Sequence, residues 1–474
     1  MDWKTIAENK RNSIIDKIPE EWRIPSFPPP EALPDVSGSY IRQYLTSREV
    51  DITETDAVGI IHKTTTGEWT AKEVTLAFCH RAALAHQMVS CLHEIFFDNA
   101  IKDAERLDAY FEQSRKPVGP LHGLPISLKD SIHVKGVETT MGYVGWIGTF
   151  EGGKDSEKYK NVEADVATQL RTLGAILYVK TSVPPASCSA ETGNNIIGYT
   201  TNPYNRMLTA GGSSGGEGAL IALRGSPAGL GTDIGASIRL PSHFNGLYGL
   251  KPSYHRLPLR GLATPMDGQD TCVFVVGPMA TTSRSTTLLM KSLLCYGAAD
   301  VLKQLALSGE PMNPVMPPFF HVGAPKILDA TEIMKLNKAI REYRADFLDH
   351  WNRTAEITAA GQPVDAILMP VFPSAAPRKG NVNWLGYTAI INLLDYASYA
   401  IPVCRVDKMI DLHRQSEHVS LGEEDDIVHR DYDPELHHGA PVGLQIVGRR
   451  LQEEKVLALG EFISGAMSGI DAQA

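Results

Sequence analysis

The sequence predicts an α/β fold. Three observations point there: helical periodicities that run straight into strand-like apolar runs, glycines at the junctions between them, and a composition suited to a buried core. Hydrophobic residues make up 43% of the 474-residue chain and charged residues 21%, which excludes a disordered protein. That length suffices for one large domain or two to three ordinary ones.

The elements follow in order. Residues 24–36, "IPSFPPPEALPDV", are proline-rich and predict an extended arm wrapped over the surface. "TAKEVTLAFCHRAALAHQM" opens with a capping box, Thr70 and Glu73, and continues with apolar residues at helical spacing. "VEADVATQLRTLGAILYVK" predicts a helix carrying Val166, Leu170 and Leu173, stopped by Gly174, then a strand over Ala175–Val179. Residues 308–325 form a proline-rich connector. After it, Ile333, Leu336, Ile340, Tyr343, Phe347 and Trp351 recur at steps of three and four, the mark of an amphipathic helix. "VDAILMPVFP" predicts a buried strand ending in a loop. Residues 407–438 hold ten acidic residues against three basic ones, and five of the 15 histidines; this acidic excursion is expected to be a solvated surface loop, its histidine spacing matching no zinc pattern.

The formal charge of −10 argues against nucleic acid as the main partner. No apolar run is long enough for a membrane span, and the opening "MDWKTIAENKRNSIID" lacks the apolar core of a signal peptide. The six cysteines, Cys79, Cys91, Cys188, Cys272, Cys295 and Cys404, are scattered, with no CxxC pair. They predict reduced thiols in a cytoplasmic protein.

The chemistry is announced at residues 209–216, "TAGGSSGG". Nothing here can form a core, and a glycine run of this kind means special backbone angles or very close approach. Gly212 to Gly216 fit G-x-S-x-G with Ser214 central, but that motif needs a buried strand before it, and "NPYNRMLTA" is a loop. No Gly-Lys-Ser/Thr follows, as a phosphate loop would need, and "GLGTDIG" spaces its glycines unlike a dinucleotide loop. A second glycine turn, "DIGAS", presents Ser237, 24 residues after Ser213. Upstream, Lys129 ends the apolar stretch Leu124 to Leu128, an unusual place for a lysine.

One lysine and two serines in glycine cages resemble the amidase signature family. The resemblance runs almost continuously from Val162 to Ser253, takes in the lysine segment, and includes "APVGLQIVGRRLQEEKVLAL" near the C-terminus. "NNIIGYTTNPYN" and "GGSSGGEGALIA" are most similar to the fungal acetamidase and fatty-acid amide hydrolase branch. It implies a single amidase-signature domain over 1–474, an α/β/α sandwich with a large mixed central sheet and a catalytic core at about 70–300. It implies hydrolysis of a carboxylic amide to the acid plus ammonia or amine, with esters also cleaved.

Residue by residue, the resemblance makes Ser237 the nucleophile that becomes acylated, Ser213 the bridge, and Lys129 the general base. It also implies a cis Gly212–Ser213 peptide. An exposed lysine, with a pKa of about 10.4, would be useless as a base at neutral pH, so Lys129 must be buried away from carboxylates. Asp130 is adjacent in sequence, but on a strand it points to the other face. Backbone N–H groups of Ile234, Gly235, Ala236 and Ser237 would form the oxyanion hole. Ser187 matches a substrate-contacting position, its alternative being a plain loop serine, and Ser214 would support the loop or the acyl site. Asp233 and Arg239 brace the second turn. His122 and His243 are read as structural. No metal or organic cofactor is implied; the partner is a small amide, with a homodimer possible.

Two departures from the family stand out. Ala236 replaces a usual glycine; at positive φ it would tilt an oxyanion N–H, and otherwise its methyl would narrow the pocket. The chain is also short between "LLCYG" and the Ile333 helix. They leave one alternative, an impaired amidase-like binding protein; a second, an A-type subunit of a glutamine amidotransferase, shares the same lysine and serines.

Overall fold

Short apolar runs separated by glycines and prolines become strands that pair with neighbours far along the chain. In the computed structural model, which describes residues 2–254, 256–264, 273–290, 330–382, 384–412 and 420–471, they are β1 (Leu92–Ile95), β2 (Pro125–Lys129), β3 (Ile176–Thr181), β4 (Gly193–Asn194), β5 (Gly198–Tyr199), β6 (Ala228–Asp233), β7 (Tyr248–Lys251), β8 (Val275–Ala280), β9 (Ile367–Pro370), β10 (Ala397–Arg405) and β11 (Pro441–Gly448). Nine form one sheet in the order β1-β3-β2-β6-β8-β7-β10-β11-β9, and β4 with β5 makes a small ribbon. β2 runs parallel to β3 and β6, while the remaining pairings are antiparallel, so the sheet is mixed.

Helices cover both faces, as strand alternation on β10 makes plain. Tyr399 and Ile401 join the core cluster that includes Val456 and Leu457 of the helix Glu453–Asp471. Ala400, between them, packs with Leu240 and Phe244 of the helix Arg239–Phe244. β2 and β6, side by side near the middle of this sandwich, are buried along their whole length. The expected α/β/α sandwich with a large mixed sheet is therefore the fold. Among the described residues no helix is long and apolar enough to cross a membrane.

The helix–strand unit forms as read: the helix Asp165–Thr172 ends before Gly174, whose φ of +91° only glycine adopts easily, and β3 follows, running on to Thr181. The arm 24–36 is held by Arg206, which donates to the carbonyls of Pro28 and Leu33. The helix Ala330–Arg353 lays Phe347 and Trp351 edge-on against Tyr396. The connector 308–325 and the residues Cys272 and Cys295 lie outside the described residues.

Three expectations are corrected. Thr70 caps its helix through the Glu73 N–H, but the reciprocal half of the box is missing, because the Glu73 carboxylate is engaged by Arg48. The "VDAILMPVFP" strand is an edge strand rather than a buried one. β9 pairs only with β11, and Leu368 on its outer face is 54% exposed. The segment 407–438 is not wholly a solvated loop. Glu423–Asp431 and Pro434–His437 are helical, and Asp431 is buried where it receives the Arg378 guanidinium and backbone N–H. Its residues 413–419 lie outside the described residues.

The first helix, Trp3–Ile15, is fastened by charge. Lys10 is buried and pairs with both Glu94 of β1 and Glu138, while Lys17 takes the other oxygen of Glu94 at 2.9 Å. Glu138 also accepts from Tyr159 and the Gly148 N–H.

Candidate active site

The glycine-rich segment is there for close approach. Gly211 has φ +77°, and a Cβ on Gly216 would sit 2.4 Å from the Ser182 backbone nitrogen. The Gly212–Ser213 peptide is cis. The helix Gly215–Ala222 starts directly after the two serines and is buried at every position. Ser214 ties this segment to β6: its Oγ lies 3.3 Å from both the N–H and the carbonyl oxygen of Thr232. Its backbone N–H donates to the Ser237 carbonyl at 3.2 Å. Ser214 thus joins the two glycine turns.

Lys129 ends β2 with no exposed surface. Its Nζ lies 2.7 Å from Ser213 Oγ and 2.6 Å from Thr232 Oγ1. It makes no ion pair among the described residues. Burial lowers its pKa to about 7, against the weaker pull of Asp233, Cys188 and Glu217. The adjacent carboxylate does point away: Asp130 pairs with Lys180 at 2.9 Å and accepts from the Thr140 and Met141 N–H groups. A neutral amine offers one lone pair and two N–H donors. Ser213 can therefore donate to Lys129 while Lys129 donates to Thr232.

The second turn is held by a buried ion pair. Asp233 accepts from the Ile238 N–H at 3.0 Å and from Arg239 through both carboxylate oxygens, at 3.0 and 2.9 Å. Burial alone would raise the Asp233 pKa, but the Arg239 charge and hydrogen bonds hold it down at about 2. Arg239 also donates to the Thr388 carbonyl, Gln445 and Asn392. Among the described residues, none accepts from the backbone N–H of Gly235, Ala236 or Ser237.

Ala236 does not have a positive φ. It is 2% exposed, and packs with Leu240, Phe244 and Phe372 rather than lining the cavity on which Ser213 and Ser237 open. The extra methyl therefore neither strains the turn nor narrows the pocket. Ala236→Gly is expected to change kcat/KM for amide hydrolysis less than about threefold and to destabilise the fold by about 1 kcal/mol, checked by steady-state kinetics and urea unfolding.

Ser213 and Ser237 open on one cavity of about 30 Å³, together with Ser131, Met141, Ser187, Thr232, Ile234 and Phe274 among others. Ser187, in a turn at φ +51°, has a buried hydroxyl without a hydrogen-bond partner among the described residues. The two histidines stand elsewhere. His243 accepts from the Gly443 N–H and bonds the Ser374 carbonyl, and burial lowers its pKa to about 4. His122 accepts from the Val118 N–H and packs on Phe111. Sequence reasoning missed Thr232 and Glu217. Glu217, quoted within "GGEGALIA", is buried between the hydroxyls of Ser127 and Thr181, and burial raises its pKa to about 7.

The family model described as Amidase matches residues 73–314 and 324–457. The chain belongs to the amidase family. It is 35% identical to an acetamidase of Emericella nidulans, with 99% of each chain covered, and 36% identical to an acetamidase of Aspergillus oryzae, with 97% and 98% covered. A solved fatty acid amide hydrolase is similar at TM-score 0.88 and 28% identity, over 98% of this chain and 95% of that one. The protein is thus an amide hydrolase. Its alignment to the Emericella relative runs over 559 positions, more than the 474 of this amidase, so that acetamidase carries residues this chain lacks.

Proposed function

We propose that this amidase hydrolyses a short-chain carboxylic amide to the acid and ammonia through an acyl-enzyme on Ser237. The observation that carries the reading is Lys129, fully buried, unpaired with any acid among the described residues, and 2.7 Å from Ser213. A neutral amine so placed is a base matched to neutral pH.

Ser213 gives its proton to Lys129 as it takes the proton of Ser237, and Ser237 Oγ attacks the amide carbon. The oxyanion develops against the N–H groups of the turn from Ile234 to Ser237, where an ionised Asp233 braced by Arg239 keeps the donors fixed. The ammonium of Lys129 then returns its proton through Ser213 to the leaving nitrogen, and ammonia departs. Water repeats the sequence on the ester and frees Ser237. The narrow cavity favours a small acyl group, in keeping with relatives named acetamidase.

The pH profile tests this. Lys129 must be neutral, and its pKa is lowered to about 7. kcat/KM for acetamide is expected to rise about tenfold per pH unit below that value and to level off above it. A profile flat between pH 5 and 9 would remove Lys129 as the base.

A further inference from the structure

The cavity wall contains a hydroxyl that this mechanism does not use. Ser131 lies two residues beyond Lys129 and is 3% exposed. Its backbone is pinned: the Ala263 N–H donates to its carbonyl at 2.7 Å, and the next residue, Ile132, bonds back to the Lys129 carbonyl at 2.9 Å. Yet its Oγ is buried with no hydrogen-bond partner among the described residues, and it lines the same cavity as Ser213 and Ser237. Ser187 Oγ is in the same condition. Thr232, the other hydroxyl named on this wall, is engaged by Lys129.

A buried hydroxyl left unpaired is costly, so two at one site call for a ligand that satisfies them. The cavity is narrow, about 30 Å³, and both hydroxyls stand on the wall that Ser213 and Ser237 share. A primary carboxamide brings one carbonyl oxygen and two N–H donors. The turn at Ile234–Ser237 takes the oxygen. Two donors remain for the two open acceptors.

We infer that Ser131 is a specificity residue. Its hydroxyl accepts one N–H of the substrate –NH2 while Ser187 accepts the other, so that the enzyme selects primary amides over N-substituted amides and esters. An N-methyl group would place carbon against a hydroxyl, and an ester has no N–H to offer. A site built to bond an N–H rejects analogues lacking it, because its own buried polar groups are then left unpaired. The inference rests on the amide-hydrolase mechanism above.

The test is Ser131→Ala, with kcat/KM measured for acetamide, N-methylacetamide and phenyl acetate. The acetamide value is expected to fall at least about tenfold and the phenyl acetate value less than about threefold, so the preference for amide over ester narrows. The preference for acetamide over N-methylacetamide should narrow with it. Thermal melting and fluorophosphonate labelling of Ser237, read by intact mass, establish that the variant is folded with its nucleophile in place. Ser131→Cys, which keeps the shape with a weak acceptor, provides a second variant and should shift the ratios in the same direction. Unchanged ratios in the folded variants, with a wild type active on acetamide, would overturn this inference alone. A wild type that cleaves phenyl acetate but no primary amide would overturn the proposed function together with it.

Discussion

Ser237→Ala is expected to lower kcat for acetamide by about 10⁴-fold or more and to abolish covalent labelling by a small fluorophosphonate. The expectation comes from position. Ser237 lines the cavity at the end of a turn in which the N–H groups of Gly235, Ala236 and Ser237 have no acceptor among the described residues, and the neighbouring segment is tied to it by the Ser214 N–H. Removing one oxygen leaves the Asp233–Arg239 brace, the cavity and the base in place, so the protein should fold as before. Intact-protein mass after treatment gives the answer in one experiment: one adduct on wild type, none on the variant. An adduct of equal yield on the variant would show that another residue is the nucleophile.

Lys129→Met carries the second large effect, a loss of about 10³- to 10⁴-fold in kcat/KM. Methionine fills nearly the same volume without the amine, so Ser213 loses its proton acceptor while the sandwich stays packed. Raising the pH should not rescue the variant, whereas a surface lysine mutant would keep the wild-type profile. Stability supplies an independent check of sign. The folded-state pKa of Lys129 lies below its unfolded value of 10.5. The unfolded chain therefore binds more protons between about 7 and 10.5, and wild-type stability gains with rising pH over that window relative to the variant. Urea midpoints of the two proteins at pH 6.5 and pH 9 measure this. A difference that does not grow with pH would mean that the amine is not held neutral by burial.

How much of this was legible follows from where the information sits along the chain. Lys129, Ser213 and Ser237 each stand in a local context, an apolar run or a glycine cage, that is anomalous by itself. The structure brings Lys129 and Ser213 into contact and sets Ser213 and Ser237 on one cavity. Thr232 has no such context. It meets Lys129 only because β6 pairs with β2, a contact across 103 residues that no local pattern encodes. Ser131 was hidden for another reason: it stands two residues beyond an anomalous lysine, but what sets it apart is a partner missing among the described residues, which no sequence pattern encodes. Ala236 shows the limit from a third side. The family comparison flagged the substitution, but only the direction of one methyl, into the cluster around Phe244, decides what it does. The half-made box at Thr70 has the same lesson, since Arg48 lies 25 residues away from the glutamate it captures.

The buried Lys10 has a consequence for assembly. Translation delivers the first helix early, but the carboxylates that neutralise its amine arrive much later, Glu94 84 residues downstream and Glu138 beyond that. Until both have emerged, the lysine is better off in water than docked. The helix Trp3–Ile15 therefore closes as a clasp after the β1 region has formed, so that a segment made before its partners takes its place after them. A nascent chain arrested before Glu138 should leave the first 15 residues open to protease, and one released at full length should protect them.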